Sequence, residues 1–264
     1  MEGINSSQNT VITILGSGTC VPSLKRSSSS VLVKSAGCRF LLDAGAGTMR
    51  RLLRAGTDVY DISYVFFSHF HPDHTGELVS FLFSNKYPDG SRRKKSLDLI
   101  GGMGFTEFFL KLEGIYGEWI QLPCDLLNIT ELSGENFDQR FLKPFTIKTA
   151  PVKHRPESLA IRITDPNGKS FVYSGDTDFS ENLISLASNA QILICESAVP
   201  DQSKVEGHLT PSLAGEIADR AGVGKLVLTH FYPECDNEDI VKQCRKTYKG
   251  PLVLAEDLMV LELI

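Results

Sequence analysis

Residues 69–74, His-Phe-His-Pro-Asp-His, hold three of the six histidines of the chain together with one aspartate. They follow the apolar run Ile-Ser-Tyr-Val-Phe-Phe at residues 62–67, which is typical of a buried β-strand. Imidazole and carboxylate groups at the mouth of such a strand are costly to bury unless they bind something. The stretch therefore predicts a metal site. The alternative is a polar turn that contains unrelated histidines.

The spacing within this stretch allows two cations side by side. His69 and His71 lie two residues apart, so a turn can aim both at one cation, while Asp73 and His74 can face a second one. Pro72 fixes its backbone φ angle, which lowers the entropy lost when the ligands are held in place.

Length and composition predict one globular domain over residues 1–264. The chain is 42% hydrophobic and 22% charged, which is ordinary for a protein with a sizeable core, and no linker or sharp change in composition divides it. The net charge of −5 argues against a surface that coats nucleic acids in general. A local basic patch is still compatible with this charge.

The sequence predicts neither export nor a membrane span. Its N-terminus lacks a cationic segment followed by an apolar one, and no apolar run approaches the ~18 residues that a transmembrane helix needs. The six cysteines are widely spaced without a CxxC pair, which favours buried thiols of a reducing compartment over disulfides. We therefore expect a cytoplasmic protein without membrane contact.

Apolar runs and turn residues predict the following strands and helices. Strands are predicted over residues 11–15, 30–34, 39–43, 62–67, 97–100, 145–150, 158–163, 170–173, 192–195 and 225–228, with one or two more in 252–264. Helices are predicted over residues 48–54, 77–83, 106–119, 211–221 and 237–247, and a solvated basic loop over 87–95. Because strands occur in groups with helices between them, we predict an α/β layered sandwich of two packed sheets with helices outside.

The other three histidines and one aspartate also lie where predicted elements begin or end. His154 follows a strand, His230 ends the strand that starts at residue 225, and His208 opens the helix that continues over residues 211–221. Asp176 lies in the turn Ser-Gly-Asp-Thr at the end of another strand. Functional loops collect at such ends, so these four residues are candidates for the same site.

Together these motifs resemble the metallo-β-lactamase fold of two-metal hydrolases, and within it the ribonuclease Z type. HxHxDH is shared by glyoxalases, lactamases and phosphodiesterases, but its combination with SGDT and with Gly-His-Leu-Thr-Pro at residues 207–211 is much more selective. Similar segments at residues 14–19, 21–23, 28–30 and 41–48 extend the resemblance over nearly the whole chain. The implied fold is a four-layer αββα sandwich with helices on the outer faces.

The resemblance implies a complete set of metal ligands. One divalent cation would be bound by His69, His71 and His154, the other by Asp73, His74 and His230, and both by Asp176. Two cations ~3.5–4 Å apart can hold a shared hydroxide and stabilise both oxygens of an in-line displacement at phosphorus. The expected cofactors are two divalent ions, with Zn²⁺ favoured over Mn²⁺. Asp73 is expected to be a catalytic residue as well as a metal ligand. Asp43 is expected either to contact a metal ligand without binding the metal itself or to stabilise its own glycine turn.

His208 is the histidine left over from this ligand set. Thr210 and Pro211 are predicted as the N-cap and first residue of a helix, and His208 is predicted at the first turn of this helix, where a phosphate oxygen is favoured. The resemblance implies that His208 gives a proton to the leaving alkoxide or stabilises it. Either Glu196 or Glu206 could orient this histidine, and the sequence leaves the choice open.

Departures from the family pattern argue against tRNA processing. Ribonuclease Z enzymes that mature tRNA carry a protruding arm, which in the short bacterial form is inserted between the counterparts of His154 and Asp176. This chain has only a hairpin-length segment there, and residues 46–49 (Ala-Gly-Thr-Met) and 231–233 (Phe-Tyr-Pro) also depart from the pattern.

These departures lead us to predict a phosphodiesterase that acts on small or flexible phosphodiesters. A 3′-tRNA endonuclease of the ribonuclease Z type is the first alternative, and a thioester or lactone hydrolase is the second. The expected partner is a phosphodiester, either a small molecule or an RNA end. A homodimer is compatible with the sequence, which does not determine the oligomeric state.

Overall fold

Two β-sheets of seven strands each form the centre of the described residues, 9–87 and 93–264, in this computed structural model. The first sheet contains β1 (Thr10–Gly16), β2 (Ser30–Ser35), β3 (Cys38–Leu42), β4 (Tyr64–Phe67), β5 (Leu97–Gly101), β6 (Leu127–Glu131) and β14 (Met259–Leu263), in the spatial order β14-β1-β2-β3-β4-β5-β6. The second contains β7 (Asp138–Leu142), β8 (Phe145–Pro151), β9 (Leu159–Thr164), β10 (Ser170–Tyr173), β11 (Ile192–Glu196), β12 (Leu226–Thr229) and β13 (Leu252–Leu254), which lie side by side in chain order.

Helices cover the outer face of each sheet. These are α1 (Thr48–Arg54), α2 (Pro72–Thr75), α3 (Leu78–Lys86), α4 (Phe105–Tyr116), α5 (Glu181–Ala187), α6 (Pro211–Ala221) and α7 (Ile240–Cys244). Within the residues that the structure describes, none of the helices is both long and apolar enough to cross a lipid bilayer.

Alternating side chains along the strands explain the layers. In β2, Val31 and Val33 belong to the apolar cluster between the sheets, whereas Leu32 packs in the cluster beneath α1, α3 and α4. The cluster between the sheets also takes Phe40 from the first sheet and Phe171 from the second. Because both faces of each sheet are covered, the central strands are apolar on both sides. The predicted four-layer αββα sandwich is confirmed.

Most predicted strands and helices are confirmed, with ends that differ by a few residues, but the sequence pattern does not predict β6, β7, α5 or the single-turn helix α2. β6 and β7 are the outermost strands of their sheets, so they are half exposed and lack the apolar run of a buried strand. α5 begins after Ser180, whose hydroxyl accepts a hydrogen bond from Leu183 N at 3.4 Å. The helix predicted over residues 237–247 is limited to α7, which begins after its N-cap Asp239.

The prediction of a solvated basic loop over residues 87–95 is wrong for Arg93. Residues 88–92 of that loop lie outside the described residues, but the Arg93 side chain is only 2% exposed. Its guanidinium donates hydrogen bonds to the carbonyl oxygens of Val59, Ile62 and Ser96 and to Asn85 Oδ1. These acceptors have no water to bond in the interior, and a guanidinium supplies enough donors for all of them. Lys94 and Lys95 are exposed, as predicted.

We expect Arg93→Met to lower the free energy of unfolding by about 2–4 kcal/mol, because it leaves several buried oxygens without donors. Urea denaturation of the purified protein measures the change. Lys94→Met is the matched control, since it removes an exposed charge one residue away and should change stability by less than about 0.5 kcal/mol. Equal effects of the two substitutions would contradict a structural role for Arg93.

Candidate metal centre

The candidate site lies at one edge of the sandwich, where strands of both sheets end. Strands β10, β11 and β12 are parallel neighbours, so their carboxyl ends deliver Asp176, Glu196 and His230 to the same edge. β8 ends there as well and is followed by His154. β4 of the first sheet leads directly into residues 69–74. The sequence therefore places polar side chains at the same end of five buried strands, where substrate sites of open α/β sheets collect.

A first group of side chains consists of His69, His71 and His154 together with Asp176. His154 Nε2 lies 3.2 Å from His71 Nδ1. Asp176 Oδ2 lies 3.7 Å from His69 Nε2 and 3.9 Å from His154 Nε2. All four candidate ligand atoms lie within 4.8 Å of one another, so this group could hold one metal ion.

A second group consists of Asp73, His74 and His230, and it faces the other oxygen of Asp176. His74 Nε2 lies 3.4 Å from His230 Nε2, and each of these nitrogens lies 3.3 Å from Asp176 Oδ1. Asp73 Oδ2 completes the group at 3.6 Å from His230 Nε2. The structure thus brings together all seven residues that the sequence analysis assigned to the metals.

The chemistry of these groups fits bound cations. His69 Nε2 and Asp176 Oδ1 are buried and lack hydrogen-bond partners among the described residues, which is costly unless another group satisfies them. Burial alone would raise the pKa of the Asp176 carboxyl, but the charges of His230 and His74 outweigh it and hold that pKa well below its usual range. The anionic carboxylate and the converging imidazole nitrogens form a donor set that suits divalent metals.

Asp43 lies directly behind the second group and orients His74. Its fully buried carboxylate accepts hydrogen bonds from Ser68 N at 2.7 Å, Ser68 Oγ at 2.8 Å and Tyr173 Oη at 2.7 Å. His74 Nδ1 donates to the same carboxylate at 2.7 Å, so the lone pair of His74 Nε2 faces the centre. In the same way His154 Nδ1 donates to the Gly207 carbonyl at 2.9 Å. Of the two roles left open for Asp43, the structure supports contact with a proposed metal ligand, His74.

His208 lies beside the two groups and is held by Glu196, which settles the choice between Glu196 and Glu206. His208 Nδ1 lies 3.1 Å from Glu196 Oε1 and 3.9 Å from Asp176 Oδ2, whereas Glu206 is exposed. Burial lowers the pKa of the His208 imidazole, but the hydrogen bond and charge of Glu196 outweigh it and raise that pKa to about 9. Because the bond to Glu196 uses Nδ1, His208 Nε2 remains for another partner.

Glu196 is one of the two glutamates whose role beside His208 the sequence leaves open. It ends the fully buried strand β11, and its carboxylate accepts hydrogen bonds from the backbone nitrogens of Thr177 at 2.7 Å, Leu209 at 3.0 Å and Ala198 at 3.3 Å. A carboxylate at the end of an apolar strand is the same signal that identified Asp176. That signal marks Glu196 in the sequence as a candidate site residue, but it does not identify Glu196 as the partner of His208.

The predicted position of His208 within the first turn of a helix is wrong. Thr210 is the N-cap of α6 and Pro211 its first residue, as predicted, so His208 lies in the preceding loop. Asp178 holds this loop through hydrogen bonds from Gly207 N at 3.0 Å and Lys204 Nζ at 2.8 Å. The imidazole therefore faces the ligand groups because of its loop and Glu196, and the helix terminus does not place it.

The segment between His154 and Asp176 is a plain hairpin. It consists of β9 and β10 joined by residues 165–169, a turn in which Asp165 accepts hydrogen bonds from Asn167 N and Lys169 N. This segment lies wholly within the described residues and contains no protruding arm. The side chains around the candidate centre are therefore not covered by an insertion at this point.

Comparisons with known proteins agree with this architecture. The family profile described as "Beta-lactamase superfamily domain" matches residues 38–231. A ribonuclease Z from Mycobacterium sp. (strain KMS) is 30% identical over 246 residues, which cover 84% of this chain and 84% of that protein.

Solved structures share the fold over almost the entire chain. The metallo-beta-lactamase fold protein YhfI from Bacillus subtilis superimposes with a TM-score of 0.81 at 24% identity and covers 97% of this chain and 100% of its own. The short form of human tRNase Z gives a TM-score of 0.78 at 24% identity, with 96% of this chain and 99% of that chain covered.

Proposed function

The chain belongs to the beta-lactamase superfamily, and within these metal-dependent hydrolases we propose that it is a two-metal phosphodiesterase acting on small or flexible phosphodiesters. The observation that carries the proposal is the position of Asp176. One of its carboxylate oxygens faces the group of three histidines, and the other faces His74 and His230. A carboxylate placed in this way can bridge two cations.

We assign the ligands as the sequence resemblance implied. His69, His71 and His154 would hold one cation, Asp73, His74 and His230 the other, and Asp176 both. When bound, the two ions would activate water and stabilise the attacking and leaving oxygens of an in-line displacement. A donor set dominated by imidazole favours Zn²⁺, whereas Mn²⁺ prefers sites richer in oxygen. Zn²⁺ is therefore the metal that we propose.

Three side chains of the protein would serve the chemistry beside the ions. Burial raises the pKa of Asp73, but its hydrogen bond with His230 and the charge of His74 outweigh this, so its carboxylate stays ionised and can orient the attacking water. His208 would give a proton to the departing alkoxide through Nε2. Glu196 stabilises the protonated imidazole and fixes its orientation, as a general acid requires.

The plain hairpin between β9 and β10 supports small or flexible substrates. Binding of a folded tRNA depends on many contacts with backbone phosphates, and a chain of net charge −5 without the arm offers few of them. The 30% identity to a ribonuclease Z keeps 3′-tRNA cleavage as the second candidate. No contact among the described residues favours a thioester or lactone substrate, which is therefore the third candidate.

A substrate panel tests this proposal. With two zinc ions per chain, we expect hydrolysis of small phosphodiesters such as bis-nitrophenyl phosphate and short RNA ends. Site-specific cleavage of pre-tRNA at physiological salt should be much slower and should fall steeply as salt rises. Metal analysis, followed by kinetics on phosphodiester, phosphomonoester, thioester, lactone and pre-tRNA substrates, measures both. Efficient cleavage of pre-tRNA at physiological salt would replace the proposal with the second candidate.

A cytoplasmic location is part of the same proposal. All six cysteines are free thiols in the structure, and four of them are buried, which is the pattern of a reducing compartment.

A further inference from the structure

Tyr232 borders the candidate metal centre two residues after His230. Its ring stands edge-on to two imidazoles, with its centroid 6.1 Å from that of His230 at 79° and 6.4 Å from that of His208 at 78°. The side chain is partly buried. The phenol is therefore next to a proposed metal ligand and next to the proposed proton donor.

The backbone around Tyr232 is tied to the loops that carry the site. Tyr232 N donates to the Ala198 carbonyl at 3.0 Å, in the loop that follows Glu196. Phe231 N donates to the Ser17 carbonyl at 3.0 Å, just beyond the end of β1. These bonds fix the backbone that carries the ring before any ligand arrives, which reduces the entropy lost when a ligand binds beside it.

The hydroxyl of Tyr232 has an unusually weak partner. Among the described residues its hydrogen-bond partner is Cys20 Sγ at 3.6 Å, and a thiol is a poor donor and a poor acceptor. Other tyrosine hydroxyls donate to oxygen atoms: Tyr60 to Ser84 O, Tyr64 to Lys143 O, Tyr173 to Asp43 Oδ2 and Tyr248 to Val223 O. Tyr232 therefore retains donor capacity beside the candidate metal centre.

We propose that the Tyr232 hydroxyl donates a hydrogen bond to a non-bridging phosphoryl oxygen of the substrate. This inference rests on the proposed function, since it requires a phosphoryl group at the centre. A phenol is protonated at neutral pH and donates one hydrogen bond, which strengthens as the accepting oxygen gains negative charge. The residue belongs to the Phe-Tyr-Pro segment at 231–233, where this chain departs from the ribonuclease Z pattern, so the donor would be a feature of its own version of the site.

The substitution Tyr232→Phe tests the hydroxyl while it keeps the ring. With the zinc-loaded protein, isothermal calorimetry should show about 10-fold weaker binding of inorganic phosphate, as expected when one hydrogen bond to a charged group is lost. Binding of orthovanadate, which can adopt the five-coordinate geometry of the displacement, should weaken more, on the order of 100-fold. Metal content should stay at the wild-type value.

Tyr64→Phe is the matched control. Its hydroxyl donates to the Lys143 carbonyl at 3.1 Å, outside the candidate centre, so the substitution should leave both anion affinities unchanged. If Tyr232→Phe binds phosphate and vanadate as tightly as wild type, the hydroxyl makes no contact with the phosphoryl group and the inference is wrong. If it loses metal, the inference is equally wrong, because the role of Tyr232 is then structural. A wild-type protein that holds zinc but neither binds phosphate nor cleaves phosphodiesters would instead overturn the proposed function.

Discussion

Asp176→Ala is expected to lose both metal ions and to reduce phosphodiester hydrolysis by at least about 10³-fold. One carboxylate faces both ligand groups, with Oδ1 3.3 Å from His74 Nε2 and Oδ2 3.7 Å from His69 Nε2. If Asp176 bridges two cations as proposed, its removal would take a ligand from each of them and also the negative charge that offsets their repulsion. Asp73 would then be the only carboxylate left among the proposed ligands of two dications.

Metal analysis of the dialysed protein measures the first effect, and kinetics with bis-nitrophenyl phosphate measure the second. Asp176→Asn should give an intermediate result, since an amide offers one oxygen to one cation and carries no charge. Asp138→Ala is the control, because that carboxylate pairs with Arg140 on the outermost strand β7 and should retain two metals. Two tightly held metals in Asp176→Ala would show that Asp176 does not bridge them.

The clustering of the proposed ligands was predictable because each of them follows or ends an element whose pattern is visible in the sequence, whereas their division between two cations came from the family resemblance. His230 and Asp176 come after short runs of buried apolar residues, and residues 69–74 follow β4. A polar side chain at such a point costs free energy unless it is used, so the pattern and the chemistry indicate the same residues. Strand ends of parallel neighbours meet at one edge, which explains why distant segments form one site.

The partner of His208 was not predictable, because Glu196 and Glu206 are both near it in the sequence. The choice depends on the sheet. β11 lies between β10 and β12 and points Glu196 at the edge where Asp176 and His230 also end, while Glu206 lies in an exposed part of the loop. The order of the strands in the sheet determines which glutamate lies next to His208, and the local sequence does not predict that order.

The burial of Arg93 was not predictable from local sequence either. It lies among basic residues that are typical of a solvated loop, and its neighbours Lys94 and Lys95 are exposed. What buries Arg93 is a set of carbonyl oxygens near residues 59–62, which are more than thirty positions away along the chain. Local composition is consistent with the exposed Lys94 and Lys95 and still gives no information about that distant set of acceptors.

His208→Ala should slow the hydrolysis of phosphodiesters with alkoxide leaving groups by about 10²–10⁴-fold, because a strongly basic oxygen needs a positioned acid to leave. A nitrophenolate leaves without a proton, so hydrolysis of bis-nitrophenyl phosphate should be affected far less. His208 Nδ1 lies 3.9 Å from Asp176 Oδ2, but His208 is not one of the proposed metal ligands, so the metal content of the variant should stay near the wild-type value. Kinetics on both substrates and metal analysis measure these effects.

Two carboxylates near His208 provide a matched pair of variants for this prediction. The Glu196 carboxylate lies 3.1 Å from His208 Nδ1 and raises the pKa of His208, so Glu196→Gln should lower that pKa. We expect this substitution to slow hydrolysis of the alkoxide substrate by about 10-fold and to leave hydrolysis of the nitrophenyl substrate nearly unchanged. Glu206→Gln changes an exposed residue of the same loop and should alter neither rate. If His208→Ala slows both substrates equally, the histidine binds the phosphoryl group and is not the acid. If it loses metal, His208 is a ligand, as its position within 4.8 Å of Asp176 and His230 would then explain.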